Sequence, residues 1–144
     1  SIGIGEGMPF ECVASTWMDP TGMARHLNAR RLPGVRFEPL RFKSRRVKNR
    51  TYSGVRIKFT NPATAPLMAI NYHILDAVRA VAKRDIFATR VKSGRSFNMF
   101  DKVNGTDSIR RNLAAGRSGA AIVKSWAKDE ALFHQQRAKY LLYR

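Results

Sequence analysis

The segment 54–60, GVRIKFT, constrains the fold most, because its apolar and polar residues alternate without interruption. This period of two predicts a β-strand with one buried face, formed by Val55, Ile57 and Phe59. A strand needs a partner, and segment 35–42, VRFEPLRF, alternates in a similar way. Proline has no N–H for a sheet ladder, so Pro39 predicts that this second strand is an edge strand or contains a bulge. We expect the two strands to form a hairpin with a long connection.

Helical patterns flank these strands. Asp19 followed by Pro20 predicts the start of a helix that ends before Pro33 and Gly34. A second helix is predicted from an apolar stripe with helical spacing, made of Leu67, Ile70, Ile74, Val78 and Val81. For residues 85–100 the sequence predicts a short strand and a loop around Gly94.

Two further helices are predicted near the end of the sequence. Thr106 is expected to cap the first and Ser118 the second. The second should be one long helix whose stripe lies in the core, with Ile122, Trp126, Phe133 and Tyr140 as its members. Strands followed by helices in this order predict a small α+β domain, with a few-stranded sheet packed by about four helices.

Length and composition limit the class of protein. A chain of 144 residues, 44% of them hydrophobic, predicts one folded domain over residues 1–144. No apolar run is long enough for a membrane span, and the first residues lack the features of a signal peptide. With one cysteine, Cys12, and three scattered histidines, the sequence predicts neither a metal site nor a cofactor.

The charge indicates polyanionic partners. The sequence has 27 Lys and Arg against 10 Asp and Glu, which gives a net charge of +17. Such a surface attracts nucleic acid, anionic lipid or an anionic cell wall. Six cations fall within residues 41–50, namely Arg41, Lys43, Arg45, Arg46, Lys48 and Arg50. This segment is either a phosphate-binding loop or a solvated hairpin tip, and its composition leaves both open.

The first eleven residues, SIGIGEGMPFE, contain the most unusual motif. Gly3, Gly5 and Gly7 could place backbone N–H groups around an anion. A dinucleotide-binding motif does not fit, because its last glycine would fall on Met8 and no strand precedes the loop. Glycosidases use two carboxylates, which makes Glu6 and Glu11 catalytic candidates, although each could equally be structural.

These motifs carry a family resemblance. SIGIGEGMPFE followed by ASTWMD resembles the family pattern S-x-G-R-G-T-x-x-P-F-E followed by G-A-P-W-[IL]-D. The segments HLNARRLPGVRFEPLRF, GVRIKFTNP, IRRNLAAGRS and KYLLY follow in family order. Over nearly its whole length the sequence resembles the C-terminal domain of NamZ-type exo-β-N-acetylmuramidases, glycoside hydrolases that act on peptidoglycan fragments in cell wall recycling.

The resemblance implies a function and a partner domain. Family members are expected to carry the principal catalytic acid on an N-terminal Rossmann-like domain outside residues 1–144, so we expect no activity from this chain alone. The substrate cleft would lie between the two domains and release a terminal β-linked N-acetylmuramic acid. The implied substrate-binding residues are Gly3, Gly5, Pro9, Phe10 and Trp17. The implied parent protein is bacterial and secreted or periplasmic, with the basic surface on an anionic cell wall.

Two features favour an alternative function. Ile4 and Glu6 stand where the family pattern has arginine and threonine, and the net charge is unusual for an enzyme that acts on muropeptides. The alternative is a stand-alone basic module that binds RNA, DNA or another polyanionic assembly through Arg45, Arg46, Lys48 and Arg50. Phosphate binding of this kind weakens steeply with salt, which distinguishes the two functions.

Overall fold

The computed structural model describes residues 1–87 and 98–142 and divides the chain into two compact units, Ser1–Ile86 and Phe87–Arg144. The first unit contains β1 (Cys12–Ser15), α1 (Pro20–Asn28), β2 (Val35–Lys43), β3 (Thr51–Phe59) and α2 (Leu67–Ala82). The second contains α3 (Asn98–Asn104), α4 (Ser108–Ala114), α5 (Gly119–Ser125) and α6 (Ala127–Ala138). The predicted α+β class is confirmed.

The sheet of the first unit has the strand order β1–β3–β2, with both pairs antiparallel. The hairpin of β2 and β3 is continuous in register from Val35 opposite Phe59 to Lys43 opposite Thr51. Pro39 therefore lies in an edge strand, as predicted, and causes no bulge. The central strand β3 begins three residues earlier than the alternating pattern indicated, so the connection between the strands is short and comprises residues 44–50.

The core of this unit lies between the two helices and the inner face of the sheet. Its buried members are Met18, Met23, Ala24, Leu27, Phe37, Val55, Ile70, Ile74, Ala77 and Val78. Two predictions of burial were wrong. Phe59 is 46% exposed because it is the last residue of β3, and Leu67 is 57% exposed because it begins α2. Both residues therefore lie outside the apolar core.

Helix α1 is held at both ends by side-chain hydrogen bonds. Asp19 caps its start, with Oδ1 accepting from the Thr21 N–H at 3.1 Å, and Pro20 is the first helical residue, as predicted. At the other end, the Asn28 amide donates to the Phe37 carbonyl at 2.8 Å and accepts from the Phe37 N–H at 2.9 Å. Asn28 thus pairs with backbone groups of the edge strand β2, and this fixes α1 against the sheet.

In the second unit the predicted caps are confirmed within a residue. Ser118 Oγ accepts from the Ala121 N–H at 3.1 Å, and Thr106 Oγ1 accepts from the Ser108 N–H at 3.1 Å. The guanidinium of Arg110 on α4 binds the Asp101 carboxylate on α3, at 2.9 and 3.0 Å from its two oxygens. Residues 98–100 belong to α3, so the predicted strand and loop do not extend to them. The predicted loop around Gly94 lies outside the described residues.

The last predicted helix was wrong in two respects. It is interrupted at Trp126. The Trp126 N–H donates to the carbonyls of Val123 and Lys124, and α5 ends at Ser125. The aromatic stripe was expected in the core, but Phe133 is 58% and Tyr140 74% exposed, and no residue of α6 is buried. Charged and amide side chains surround the apolar positions of α6, so the helix has no continuous apolar stripe to bury.

No helix in the described part of the chain combines the length and the hydropathy needed to cross a membrane.

Candidate site at the opening loop and the basic hairpin loop

The opening loop, residues 1–11, leaves the edge of the sheet and returns to it. The Ser1 nitrogen donates to the Ala14 carbonyl at 2.6 Å, and the Ala14 N–H donates to the Ser1 carbonyl at 2.9 Å. Between these points Gly3, Gly5 and Gly7 have φ angles of 83°, 75° and 81°. These left-handed conformations strain any residue with a Cβ, so the alternating glycines are what allows the loop to turn back on itself.

The basic hairpin loop, residues 44–50, joins β2 to β3 and is closed by its own hydrogen bonds. The Ser44 N–H donates to the Arg50 carbonyl at 2.8 Å, and the Ser44 hydroxyl oxygen accepts from the N–H groups of Arg46 at 3.1 Å and Val47 at 3.0 Å. Asn49 supplies the left-handed position of the turn, with φ 59°. The loop is therefore shaped before any ligand binds.

Glu6 joins the opening loop to the basic hairpin loop. Its carboxylate accepts from the Ser44 hydroxyl at 2.6 Å and from the Arg45 N–H at 2.7 Å, and the residue is only 7% exposed. These hydrogen bonds, the Arg45 N–H first, stabilise the charged form and lower the pKa of Glu6. Both carboxylate oxygens are occupied and the group stays ionised at neutral pH. This geometry gives Glu6, one of the two catalytic candidates, a structural position.

Two arginines of the hairpin loop lie over the glycines. A Cβ atom at Gly5 would overlap Cδ of Arg46, and one at Gly7 would lie 3.4 Å from Nη1 of Arg45. Hairpin residues 43–46 and 48–51 line an open cavity of about 630 Å³. The ion pairs formed within residues 1–87 and 98–142 include none with Arg45, Arg46, Lys48 or Arg50.

Phe10, at the end of the opening loop, is both strained and exposed. Its φ is 63° and its side chain is 70% exposed. Arg31 and Lys83 also have positive φ, but each follows the end of a helix, where this conformation is common. For a bulky residue in a loop it costs about 1–3 kcal/mol. Strain of this kind persists where the surrounding structure imposes it, and such places are often functional.

The remaining site candidates lie on the surface around the start of the sheet. Pro9 is exposed, and the exposed Glu11 carboxylate forms an ion pair with the Arg56 guanidinium at 2.7 Å. Trp17 follows β1, is 36% exposed, and carries the Arg84 guanidinium 4.9 Å from its ring centroid. No three histidine, cysteine, aspartate or glutamate side chains among the described residues are grouped so as to hold a metal ion.

From the sequence alone, the glycines and the hairpin cations indicate two competing functions, yet the fold brings them together. The contact depends on Glu6 and Ser44, which are 38 residues apart. No local signal marks this pair, because Glu6 lies before β1 and Ser44 lies in the connection between β2 and β3.

Comparison with known proteins supports the family resemblance that the sequence motifs indicate. The family model described as exo-beta-N-acetylmuramidase NamZ, C-terminal, matches residues 1–143. The chain is similar to a protein of the DUF1343 family from Bacteroides fragilis, known from a crystal structure, with a TM-score of 0.82 and 29% sequence identity. All of this chain is covered, but it spans 38% of that protein's chain. Among functionally curated proteins, none matches. By its sequence match over residues 1–143, the chain belongs to the NamZ C-terminal family of exo-β-N-acetylmuramidases.

Proposed function

We propose that this chain completes the substrate cleft of a glycoside hydrolase that releases terminal β-linked N-acetylmuramic acid from peptidoglycan fragments. The principal catalytic acid would come from an N-terminal Rossmann-like domain. Two facts support this: the matching family is described as C-terminal, and this chain spans 38% of the Bacteroides protein. The opening loop would form part of the cleft wall. The observation that carries this proposal is Phe10, a strained aromatic side chain held in solvent beside the glycines.

The opening loop supplies the groups that a sugar site needs. Ligand sites combine aromatic surface with a few fixed polar groups, and here Phe10 offers the surface while Pro9 fixes the preceding backbone. The N–H groups of Ile4, Gly5 and Gly7 form no hydrogen bond within the described residues and are available to a ligand.

The two loop carboxylates have different roles in this proposal. Glu6 anchors the basic hairpin loop, since Ser44 and Arg45 occupy both of its oxygens. Glu11 is exposed and could approach a bound sugar, and its carboxylate lies 2.7 Å from the Arg56 guanidinium. An ionised carboxylate at this position would stabilise positive charge that develops on the sugar ring, while the protonating acid lies elsewhere.

The test is hydrolysis of a chromogenic β-N-acetylmuramide by the complete gene product, with Phe10→Asn as the variant. Asparagine tolerates the left-handed conformation, so we expect Phe10→Asn to keep or raise the thermal stability while kcat/KM falls at least about tenfold. Phe133→Ala is the matched control, because Phe133 is an exposed phenylalanine on α6, outside the unit that carries the opening loop. A gene product that releases no N-acetylmuramic acid would refute the function. A fully active Phe10→Asn variant would remove Phe10 from the site.

Binding of a polyanion is a second candidate, favoured by the four hairpin-loop cations without a carboxylate partner. Arg45, Arg46, Lys48 and Arg50 lie on a preformed loop that lines an open cavity. Phosphate contacts release counterions, so four such contacts with a single-stranded RNA predict an affinity that falls with about the 2.8th power of salt concentration. Binding of a short RNA, measured between low and physiological ionic strength, tests this candidate. Loss of all binding at physiological salt would reduce it to non-specific attraction.

A further inference from the structure

We propose that Arg45 and Arg46 bind the carboxylate of the sugar substrate and thereby set a preference for N-acetylmuramic acid over N-acetylglucosamine. The inference rests on the proposed function and assigns specificity to two side chains of the same site. The two sugars differ by a lactyl ether group that ends in a carboxylate. A protein can distinguish them only by placing a partner for that charge beside the ring.

The hairpin arginines are positioned to supply that partner. The side chain of Arg46 lies on Gly5, where even a Cβ atom would collide with it, and the guanidinium of Arg45 lies against Gly7. Because these glycines have no side chains, both arginines lie directly on the backbone of the opening loop. A sugar bound along that backbone would find the guanidinium groups at its edge.

The guanidinium groups of these arginines are not engaged by a carboxylate within the described residues. Glu6 is the acidic residue in direct contact with their loop, but its two oxygens are taken by the Ser44 hydroxyl and the Arg45 backbone N–H. Neither guanidinium forms an ion pair within the described residues. A guanidinium binds a carboxylate through two parallel N–H···O bonds, which fixes orientation as well as charge.

The opening loop itself offers no cation for this task. Its exposed side chains include Ile2, Ile4 and Phe10, and none of residues 1–11 is basic. Arg56 lies beside the loop but is paired with Glu11 at 2.7 Å. We therefore assign recognition of the substrate carboxylate to the hairpin loop, whose shape is fixed by Ser44 and whose position is fixed by Glu6.

The experiment compares hydrolysis of two chromogenic substrates, a β-N-acetylmuramide and a β-N-acetylglucosaminide, by the complete gene product. The variants are Arg45→Ala, Arg46→Ala and Arg46→Lys, with Arg36→Ala as control. Arg36 is an exposed arginine near the opposite end of the same strand, β2. Thermal unfolding establishes that each variant is folded.

We expect each alanine variant to raise KM for the muramide about 10- to 100-fold, the loss typical of a charge-assisted hydrogen bond, while KM for the glucosaminide stays unchanged. Arg46→Lys should lose part of the preference because lysine keeps the charge without the fork. Arg36→Ala should behave as the wild type does.

The outcomes separate this inference from the proposed function. If the wild type releases the muramic acid and both alanine variants keep its preference over the glucosaminide, the inference is wrong and the function stands. Equal losses on both substrates would also overturn it, because they would indicate a structural role. A wild type that hydrolyses neither substrate would refute the proposed function and the inference with it.

Discussion

Gly5→Ala tests whether the opening loop and Arg46 form one site. The φ angle of Gly5 is 75°, and a left-handed conformation costs a residue with a Cβ about 1–2 kcal/mol. The added methyl group would also overlap Cδ of Arg46. That atom belongs to a flexible, exposed side chain, so Arg46 can rotate away at little further cost. We therefore expect the free energy of unfolding to fall by only about 1–2 kcal/mol, and the guanidinium to leave its position on the loop.

Two glycines provide matched controls. Gly116 has φ 88°, and a Cβ atom added there would meet no heavy atom within 4 Å. Gly105 has φ 70°, and a Cβ atom added there would have equally open surroundings. Alanine at either position should cause a similar backbone strain without moving Arg46. The difference between Gly5→Ala and these controls isolates the displacement of the arginine.

The assay combines urea unfolding with the ratio of kcat/KM for the muramide and glucosaminide substrates. All three variants should lose similar stability, and Gly5→Ala alone should lower the ratio, by about tenfold if Arg46 contributes one charge-assisted hydrogen bond. A ratio for Gly5→Ala equal to that of the controls would refute the reasoning. A loss of stability above about 3 kcal/mol, well beyond the backbone strain, would show that Arg46 cannot move aside.

Three further predictions concern the contacts that hold the site and its scaffold. The hydrogen bonds from Arg45 and Ser44 lower the pKa of Glu6 in the folded state. Their contribution to the free energy of unfolding is therefore fully present above the unfolded-state pKa of about 4.3, and it is lost as the pH falls from there through the lowered pKa. Urea unfolding from pH 7 to pH 3 should show this dependence in the wild type and less of it in Glu6→Gln; identical profiles would contradict the anchor. Asn28→Ala removes two hydrogen bonds to Phe37 and should lower the free energy of unfolding by about 1–3 kcal/mol, measured by chemical denaturation. An unchanged denaturation midpoint would contradict this prediction. Phe37→Ala, at a residue 1% exposed, should cost about 3–5 kcal/mol by the same measurement, and a loss below about 1 kcal/mol would place Phe37 outside the core.

Local sequence patterns predicted most elements of the first unit. The alternation in GVRIKFT identified β3, Pro39 identified an edge strand, and Asp19 with Pro20 identified the start of α1. These signals are reliable because each depends on interactions within a few residues, such as a cap bond or a missing N–H. The family motifs are local in the same sense, and the family match covers the whole range they span.

Burial was harder to predict because it depends on which other elements pack against a given face of a helix or strand. Phe133 and Tyr140 have helical spacing, but spacing identifies only which residues would share a face of a helix, and α6 ends before Tyr140. Both side chains are exposed, and each ring has a cation over it, Arg137 on Phe133 and Lys139 on Tyr140. Phe59 alternates correctly with Val55 and Ile57 but lies at the end of its strand, beyond the core.

The sequence by itself determined the strands β2 and β3, the caps, the family and the concentration of charge in residues 41–50, but it did not indicate β1. Only the tertiary structure decided that two of these cations, Arg45 and Arg46, lie against glycines of the opening loop. Glu6 reaches Ser44 across 38 residues of sequence, and Arg46 lies on Gly5 across 41. Both contacts require the opening loop, which precedes β1, to fold back against the connection between β2 and β3, and a contact between such distant segments leaves no trace in the local pattern of either.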